Sequence, residues 1–240
     1  MLANAPLSVS QLMLGAMGMR MFVYHEDRIP TEAGAAIVVS NHRSFMDASI
    51  LIQALNRPIR VACHHYMGQT PILRELIHLL GCFPLEEPSK RGKHFLEQAT
   101  QMLESQQWVG IFPEGTQPMV KLTQPKEMAK FHRGFAHLAF RNAIPNLAII
   151  PVAIASEEEI VASTFPVKLL RLFDPSEPLF DSASGHPMVI YRHVNVFIGR
   201  PYWIGDRHRQ QYWGGNAKQV VSDLSNYCQQ EIEQLLKNGM

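Results

Sequence analysis

The chain has 240 residues, which is enough for one large domain with a substantial buried core. Hydrophobic residues make up 46% of it and charged residues 18%, a composition that excludes an intrinsically disordered protein. The 22 basic and 21 acidic side chains give a formal net charge of +1. A dedicated nucleic-acid-binding protein usually has a clear basic excess, so we expect no nucleic-acid partner.

The cysteines and the paired histidines do not predict a metal site. Cys63, Cys82 and Cys228 are far apart in sequence and form no C-x-x-C pair, which argues against a disulfide framework and against a zinc knuckle. His64 and His65 lack the ligand spacing of a motif such as H-E-x-x-H. We therefore expect a reducing compartment, no metal and no cofactor.

Short strand-like runs alternate with helical patterns from about residue 35 onward. Two apolar stripes have the helical period, and their residues are Phe95, Leu96, Ala99, Met102 and Leu103 in the first and Met128, Phe131, Phe135, Leu138 and Ala139 in the second. Four apolar runs predict strands, and they cover residues 35–39, 59–62, 108–112 and 147–154. The alternation predicts an α/β fold with a mainly parallel central sheet flanked by helices.

The remaining segments predict less regular structure. The pattern loosens after residue 154, and a Pro/Ser-rich stretch covers residues 175–187. The alternation at 194–198 predicts a late strand at the sheet edge, and an amphipathic helix follows at 220–235. We divide the chain into an N-terminal helical segment, residues 1–34, and an α/β domain, residues 35–240.

A histidine and an aspartate follow the first predicted strand. His42 lies in a strand-to-helix loop, where ligands bind in open α/β folds, and Asp47 lies five residues later. Histidine changes its charge near neutral pH and needs a carboxylate to fix its tautomer. The two can pair only if His42 lies in the turn and Asp47 in the first helical turn. Alone, this spacing is more typical of a surface histidine beside an N-cap formed by Asn41 or Ser44.

A second polar block follows the strand at 108–112. Pro113, Glu114, Gly115 and Thr116 bring a carboxylate, a flexible glycine and a hydroxyl to the same sheet edge. A carboxylate can accept hydrogen bonds from a polyol, and glycine allows close approach of the backbone to a ligand. By itself the block is equally typical of an ordinary turn.

Together, N-H-x-S-x-x-D and F-P-E-G-T resemble the glycerolipid acyltransferase family that includes the lysophosphatidic acid acyltransferases. Three weaker blocks extend the resemblance over residues 35–155, and they are Gly81–Leu85 with Arg91, Phe131–Gly134 and Ile149–Ile154. The resemblance implies that His42 is the general base and that Asp47 orients it. It also implies that the substrates contact Asn41, Ser44, Arg91, Glu114, Gly115 and Thr116.

The resemblance implies acyl transfer from acyl-CoA or acyl carrier protein to a lysophospholipid, which would be 1-acylglycerol-3-phosphate. One residue departs from the family pattern, because Gln117 stands where the family has arginine in F-P-E-G-T-R. Arg91 is then the remaining phosphate partner in these blocks. The alternatives are acylation of an alcohol without a phosphomonoester, hydrolysis of an acyl thioester or lipid, and lipid binding without catalysis.

The expected location is the cytoplasmic face of a membrane, with peripheral attachment. The apolar run at 12–19 is shorter than the roughly 20 residues of a spanning helix, and no cationic signal-peptide region precedes it, since the first basic residue is Arg20. Residues 7–23, the basic stretch 117–141 and the segment 165–173 are candidates for contact with the membrane surface. The alternatives are a helix that caps the core for 7–23, a solvated helix face for 117–141, and a packed loop or a partner contact for 165–173.

Overall fold

The computed structural model describes residues 5–63, 71–85, 91–115, 123–165 and 186–239. Several predictions fall outside these residues. They concern His64, His65, Thr116, Gln117 and most of the segment from 165 to 187.

The described residues include eight strands in one sheet. In chain order they are β1 (Arg20–Tyr24), β2 (Ala36–Ser40), β3 (Ile59–Cys63), β4 (Phe83–Pro84), β5 (Trp108–Ile111), β6 (Leu147–Phe165), β7 (His186–Ile198) and β8 (Tyr202–Ile204). The helices are α1 (Ala5–Ala16), α2 (Asp47–Ala54), α3 (Pro71–Leu79), α4 (Arg91–Glu104), α5 (Gly134–Arg141), α6 (Asp206–Gln211) and α7 (Ala217–Asn238). A 3-10 turn covers Glu26–Arg28, and a π-helical turn, Tyr212–Asn216, leads into α7.

The sheet has the order β1, β7, β6, β2, β5, β3, β4, and β8 pairs with the start of β6. The five strands β6, β2, β5, β3 and β4, which are adjacent in this order, run parallel to one another. Only β7 and β8 run antiparallel to β6 among the described pairs. The predicted α/β fold with a mainly parallel sheet is thus confirmed.

The apolar strands are covered on both faces, and β2 illustrates why. Ile37 and Val39 point into a core formed with α4, α5 and α7, whereas Ala36 and Val38 point into a second core formed with α1 and α2. Successive side chains of a strand face opposite sides, so a strand between two cores must be apolar throughout. Each fully buried Val or Ile contributes about 1.5–3 kcal/mol to folding.

Two sheet predictions need correction. β6 continues to Phe165 instead of ending near residue 154, because it pairs with β7 over its whole second half. The predicted edge strand at 194–198 is not at the edge, because β1 pairs with the outer side of β7. The segment 1–34 is accordingly not helical throughout: residues 20–24 are aromatic or aliphatic after Arg20 and form that edge strand, while α1 supplies the helix.

The helix predictions were confirmed for α4 and α7. The stripe from Met128 to Ala139 was only half right, because α5 begins at Gly134 and the residues before it are irregular. Phe131 nevertheless lies in the core. The apolar spacing before Gly134 therefore indicated buried side chains but not a helix. No helix among the described residues is both long enough and apolar enough to cross a membrane.

Candidate active site

The register of two neighbouring strands brings the two polar blocks together. Val39 of β2 pairs with Ile111 of β5 in a parallel ladder. His42 and Glu114 lie at equal distances along the chain beyond these two residues, so both leave the sheet at the same edge. The His42 backbone N–H donates a hydrogen bond to Glu114 Oε1, at 2.9 Å. The loop 40–47 and the turn 112–115 therefore form one site.

His42 and Asp47 are in direct contact. The distance between His42 Nδ1 and Asp47 Oδ2 is 2.8 Å, and the Asp47 side chain is fully buried while 17% of the His42 side chain is exposed. The helix α2 begins at Asp47, and His42 lies in the preceding turn, as the spacing required. Because a carboxylate accepts hydrogen bonds, this contact keeps the proton on Nδ1 and leaves the lone pair on Nε2.

The Asp47 carboxylate is held by the loop that it supports. Its Oδ2 atom also accepts hydrogen bonds from the backbone N–H groups of Arg43, at 2.8 Å, and Ser44, at 2.9 Å. Its Oδ1 atom has no hydrogen-bond partner among the described residues. Burial, and after it the negative charge of Asp47, raises the pKa of Tyr191 well above its ordinary value. A neutral phenol therefore stands near the carboxylate.

Asn41 and Ser44 fasten the loop to the hairpin formed by β6 and β7. The Asn41 amide donates to Ile154 O, at 2.9 Å, and accepts from Ile154 N, at 2.8 Å. The Ser44 hydroxyl donates to Val189 O, at 2.6 Å, and both side chains are buried. Their predicted contacts with substrate stay predictions, since these described hydrogen bonds all run within the protein.

Glu114 supports main-chain groups on two sides. Its Oε1 atom accepts from His42 N, and its Oε2 atom accepts from Ala129 N. Burial raises the pKa of Glu114, while the hydrogen bonds from these two amides act in the opposite direction. The predicted contact between Glu114 and a polyol would have to use the carboxylate lone pairs that remain.

Gly115 closes the second turn in a left-handed conformation. Its φ angle is +71°, a region that favours glycine, and its N–H donates to Phe112 O at 3.1 Å. His132 N donates to Pro113 O, at 2.8 Å, so the segment 123–133 packs along this turn. A cleft of about 460 Å³ next to it is lined by Lys130, Phe131, His132 and Arg133.

Arg91 and Thr116 are the predicted site residues whose side chains the structure does not describe. Arg91 is the first residue of α4, and Thr116 lies outside the described residues. Their roles stay predictions.

Sequence reasoning assigned no role to several residues at the site, among them Phe112 and Arg43. Phe112 stacks on the His42 ring, with the ring centroids 4.2 Å apart and an angle of 14° between the planes. Arg43, between His42 and Ser44, forms a salt bridge with Glu159 of β6 at 2.7 Å. An aromatic residue at the start of the second block was the available signal for Phe112. Nothing in the local sequence indicated Glu159, which is 116 residues away from Arg43.

Comparison with known proteins identifies a family model, a curated relative and similar solved structures. The family model described as Acyltransferase matches residues 20–155, a range that includes both polar blocks. A curated protein described as a probable 1-acyl-sn-glycerol-3-phosphate acyltransferase, from Mycoplasma pneumoniae, is 24% identical over 148 residues. The match covers 60% of this chain and 52% of that protein, so the chain spans about half the length of this relative.

One similar solved structure is the 1-acyl-sn-glycerophosphate (LPA) acyltransferase PlsC from Thermotoga maritima. The TM-score is 0.61 at 16% sequence identity, and the match covers 98% of this chain and 78% of that one. At this sequence identity the likeness shows a shared fold and nothing further.

Proposed function

Because the chain belongs to the Acyltransferase family, we propose that it moves a fatty acyl group from a thioester to the free hydroxyl of a lysophospholipid. The proposed donor is acyl-CoA or acyl carrier protein, and the proposed acceptor is 1-acylglycerol-3-phosphate. The observation that carries the proposal is the contact between His42 Nδ1 and the buried Asp47 carboxylate. It leaves Nε2 with a lone pair beside the sheet edge.

In the proposed reaction His42 Nε2 takes the proton from the acceptor hydroxyl. The hydroxyl oxygen attacks the thioester carbonyl carbon directly, and a tetrahedral intermediate forms. Its collapse breaks the C–S bond, and the imidazolium returns the proton to the leaving thiolate. The products are the ester and the free thiol, and no acyl-enzyme is formed.

Asp47 has two tasks in this scheme. It holds the imidazole ring through Nδ1, and its negative charge stabilises the imidazolium that forms during proton transfer. Three hydrogen bonds converge on Oδ2, from His42 and from the two following backbone amides. Because Oδ2 is already hydrogen-bonded and fixed, little reorganisation accompanies the appearance of charge on the ring.

Ser44 is not proposed as a nucleophile. A serine nucleophile is usually presented on a strained turn of the G-x-S-x-G type, which this chain lacks. Its hydroxyl is buried and hydrogen-bonded to Val189 O. Direct attack by the acceptor therefore fits the described contacts better than a seryl intermediate.

The acceptor is proposed to lie along the second turn, against Gly115 and Thr116, with Glu114 fixing the turn. The lysophospholipid resides in a membrane, so we propose peripheral attachment to a membrane surface, on its cytoplasmic face. The basic residues beside the second turn, Lys130 and Arg133, are suitable for anionic head groups. Such attachment would be released from anionic vesicles by high salt.

The experiment is to incubate the protein with a labelled acyl-CoA or acyl carrier protein and a panel of lysolipids, and to identify products by mass. We expect a diacyl lipid. Release of free fatty acid with every acceptor, at the same rate as without acceptor, would identify a thioesterase instead. A lack of both products would leave the lipid-binding alternative.

A second candidate acceptor, an alcohol without a phosphomonoester, is favoured by Gln117. Glutamine is neutral and cannot form the charge-assisted, two-pronged contact that arginine makes with phosphate. Arg91→Ala and Gln117→Arg would be compared with the wild type on lysophosphatidic acid and on an acceptor without phosphate. If Arg91 replaces the missing charge, Arg91→Ala raises KM for lysophosphatidic acid alone. If Gln117→Arg creates activity on that substrate where the wild type has none, the acceptor is the other alcohol.

A further inference from the structure

Arg43 connects the catalytic loop to a distant strand. Its guanidinium donates two parallel hydrogen bonds to Glu159, from Nη1 to Oε2 at 2.7 Å and from Nη2 to Oε1 at 2.9 Å. The same guanidinium donates to Thr123, from Nε to Oγ1 at 3.2 Å and from Nη2 to the backbone O at 2.6 Å. Only 2% of the Arg43 side chain and 15% of the Glu159 side chain are exposed. One buried side chain thus joins three segments of the protein.

The strand that carries Glu159 needs such a connection. β2 pairs with β6 only up to the contact of Ser40 with Val152, and β1 pairs with β7 only from His193 to Phe197, so beyond Glu158 the described β6 and β7 form a two-stranded ribbon. An isolated two-stranded ribbon is marginally stable in water. Arg43 and Ser44 of the loop bind this ribbon, through Glu159 and Val189, and Asn41 binds Ile154 just before it. The loop and the ribbon therefore fix each other.

The backbone of Arg43 takes part in the catalytic pair. Its N–H donates to Asp47 Oδ2 at 2.8 Å, the same oxygen that contacts His42 Nδ1. A displacement of Arg43 would move this amide, and with it the carboxylate that orients the ring. The salt bridge to Glu159 is the strongest restraint on Arg43, because two charge-assisted hydrogen bonds define the plane of the guanidinium.

Fold stability alone does not account for a buried ion pair. The desolvation of two charges offsets most of their attraction, and a pair of apolar side chains often stabilises a fold as well or better. The geometry of an arginine and a carboxylate, in contrast, is directional. Burial acts to raise the pKa of Glu159, but hydrogen bonds, chiefly those from Arg43, outweigh it and lower the pKa below its ordinary value. The carboxylate is thus charged at neutral pH, as the directional pair requires.

We propose that Arg43 is a positioning residue, which through its salt bridge with Glu159 holds the loop that carries His42 and Asp47 in its reactive geometry. The proposal rests on the proposed acyl transfer. It predicts that the restraint acts on turnover, and that substrate affinity is unaffected.

The test compares Arg43→Met, Glu159→Met and the double variant with the wild type, and measures kcat, KM and the unfolding midpoint. Each single variant leaves a buried charge without a partner, so both lose stability, whereas the double variant regains it. We expect kcat to fall about 10- to 100-fold in all three, with KM changed by less than about twofold. A kcat that recovers together with stability in the double variant would show that the pair is merely structural, and the proposal would be wrong.

A matched control lies one residue away. Glu158 forms a salt bridge with Arg20 at 3.2 Å, but these side chains are 60% and 67% exposed. Glu158→Met removes a negative charge from the same strand as Glu159→Met does, and Arg20→Met removes a positive charge as Arg43→Met does, but both from an exposed pair. We expect kcat of these control variants to stay within about twofold of the wild type. An equal loss of kcat in the control variants would assign the effect to net charge and would overturn the proposal.

A readout without turnover separates this proposal from the proposed function. The ¹⁵N and ¹H signals of the His42 ring report its contact with Asp47 directly. We expect the Nδ1–H signal to shift or broaden in Arg43→Lys and in the double variant, and to be unchanged in Glu158→Met. Lysine retains the charge but cannot form the two-pronged contact. If the wild type transfers no acyl group and these shifts are still seen, the proposed function fails and the positioning role stands; unchanged ring signals would contradict the positioning role.

Discussion

The two turns at the sheet edge use their polar side chains in different ways. In the loop 40–47, His42 is partly exposed and the surrounding polar groups, including Asp47, are buried beneath it. In the turn 112–115, Glu114 is itself buried, and its carboxylate accepts hydrogen bonds from the backbone of the first loop and of Ala129. The first turn presents the nitrogen of the proposed base, and the second fixes the backbone that presents it.

This difference gives Glu114 a structural task in addition to its predicted contact with substrate. Glu114 was predicted to bind substrate because of its place in the F-P-E-G-T block. Its described partners are two main-chain N–H groups. A buried N–H group needs a hydrogen-bond acceptor to replace water, and the Glu114 carboxylate supplies it. Substitutions in the two turns should therefore affect catalysis to different extents.

The largest effect is expected in the first turn. His42→Ala removes the proposed base, and Asp47→Asn removes the carboxylate that fixes its tautomer. We expect kcat to fall on the order of 10²-fold or more for each, as for the loss of a general base. The measurement is the initial rate of ester formation at saturating lysolipid, with circular dichroism to verify the fold.

His78→Ala is the control, because His78 is an exposed histidine on α3. Its rate should equal that of the wild type. Near-normal turnover of His42→Ala in a folded protein would remove this residue from the mechanism and would break the distinction between the two turns.

An intermediate effect is expected for Glu114→Gln. The glutamine side chain has one oxygen, so it can accept from His42 N or from Ala129 N but not from both in the present geometry. An unsatisfied buried N–H costs about 1–3 kcal/mol. We expect the free energy of unfolding to fall by that amount and kcat to fall about 10-fold. An undiminished stability with a large rise in KM would instead indicate direct contact with the acceptor.

The same variant should show a characteristic dependence on pH. Burial raises the pKa of Glu114 in the folded protein, so the stabilisation associated with the bound proton is complete below the unfolded pKa and is lost as pH rises through the folded pKa. Glutamine does not titrate. The stability of Glu114→Gln relative to the wild type should therefore improve from acid to neutral pH, as measured by urea unfolding; a constant or declining difference would contradict the raised pKa.

The smallest effect is expected for Phe112→Leu, which removes the ring stacked on His42 and keeps an apolar side chain. Such aromatic pairs contribute about 0.5–1.5 kcal/mol, so we expect kcat to fall about 2- to 10-fold. Tyr24→Leu is the matched control, because Tyr24 stacks on Phe197 with centroids 4.9 Å apart, on the edge strand β1. If both variants lose the same activity, the stacking on His42 has no special role.

Much of the fold could be predicted, because apolar periodicity reflects burial on two faces of a sheet. This argument identified β2, β5, α4 and α7. It did not find the full length of β6 or the strand β1. Both depend on pairing with β7, which is distant in sequence, and the local pattern of apolar residues does not record that pairing. The stripe before Gly134 was misassigned for a related reason, because irregular chain can also bury side chains at helical spacing.

The contact of His42 with Asp47 was predicted from the two polar blocks taken together, because their resemblance to a known family implies the pair; once implied, the contact needs only a turn followed by a helix start, which is a local structure. The partner of Arg43 could not be predicted, because Glu159 lies on another strand and its acidic neighbour Glu158 has the same sequence context. Only the hairpin register turns one carboxylate inward and leaves the other exposed.

The sequence by itself indicated His42 and Asp47 as the proposed catalytic groups and the sheet edge at which they lie, because strand ends and turn residues are encoded locally. The tertiary structure alone decided which groups support them. Glu114 supports the His42 backbone because Val39 and Ile111 are in register, and Arg43 meets Glu159 because β6 continues past the end of β2. Such contacts depend on the pairing of strands far apart in the chain, and a buried charge is costly unless the fold supplies it with partners.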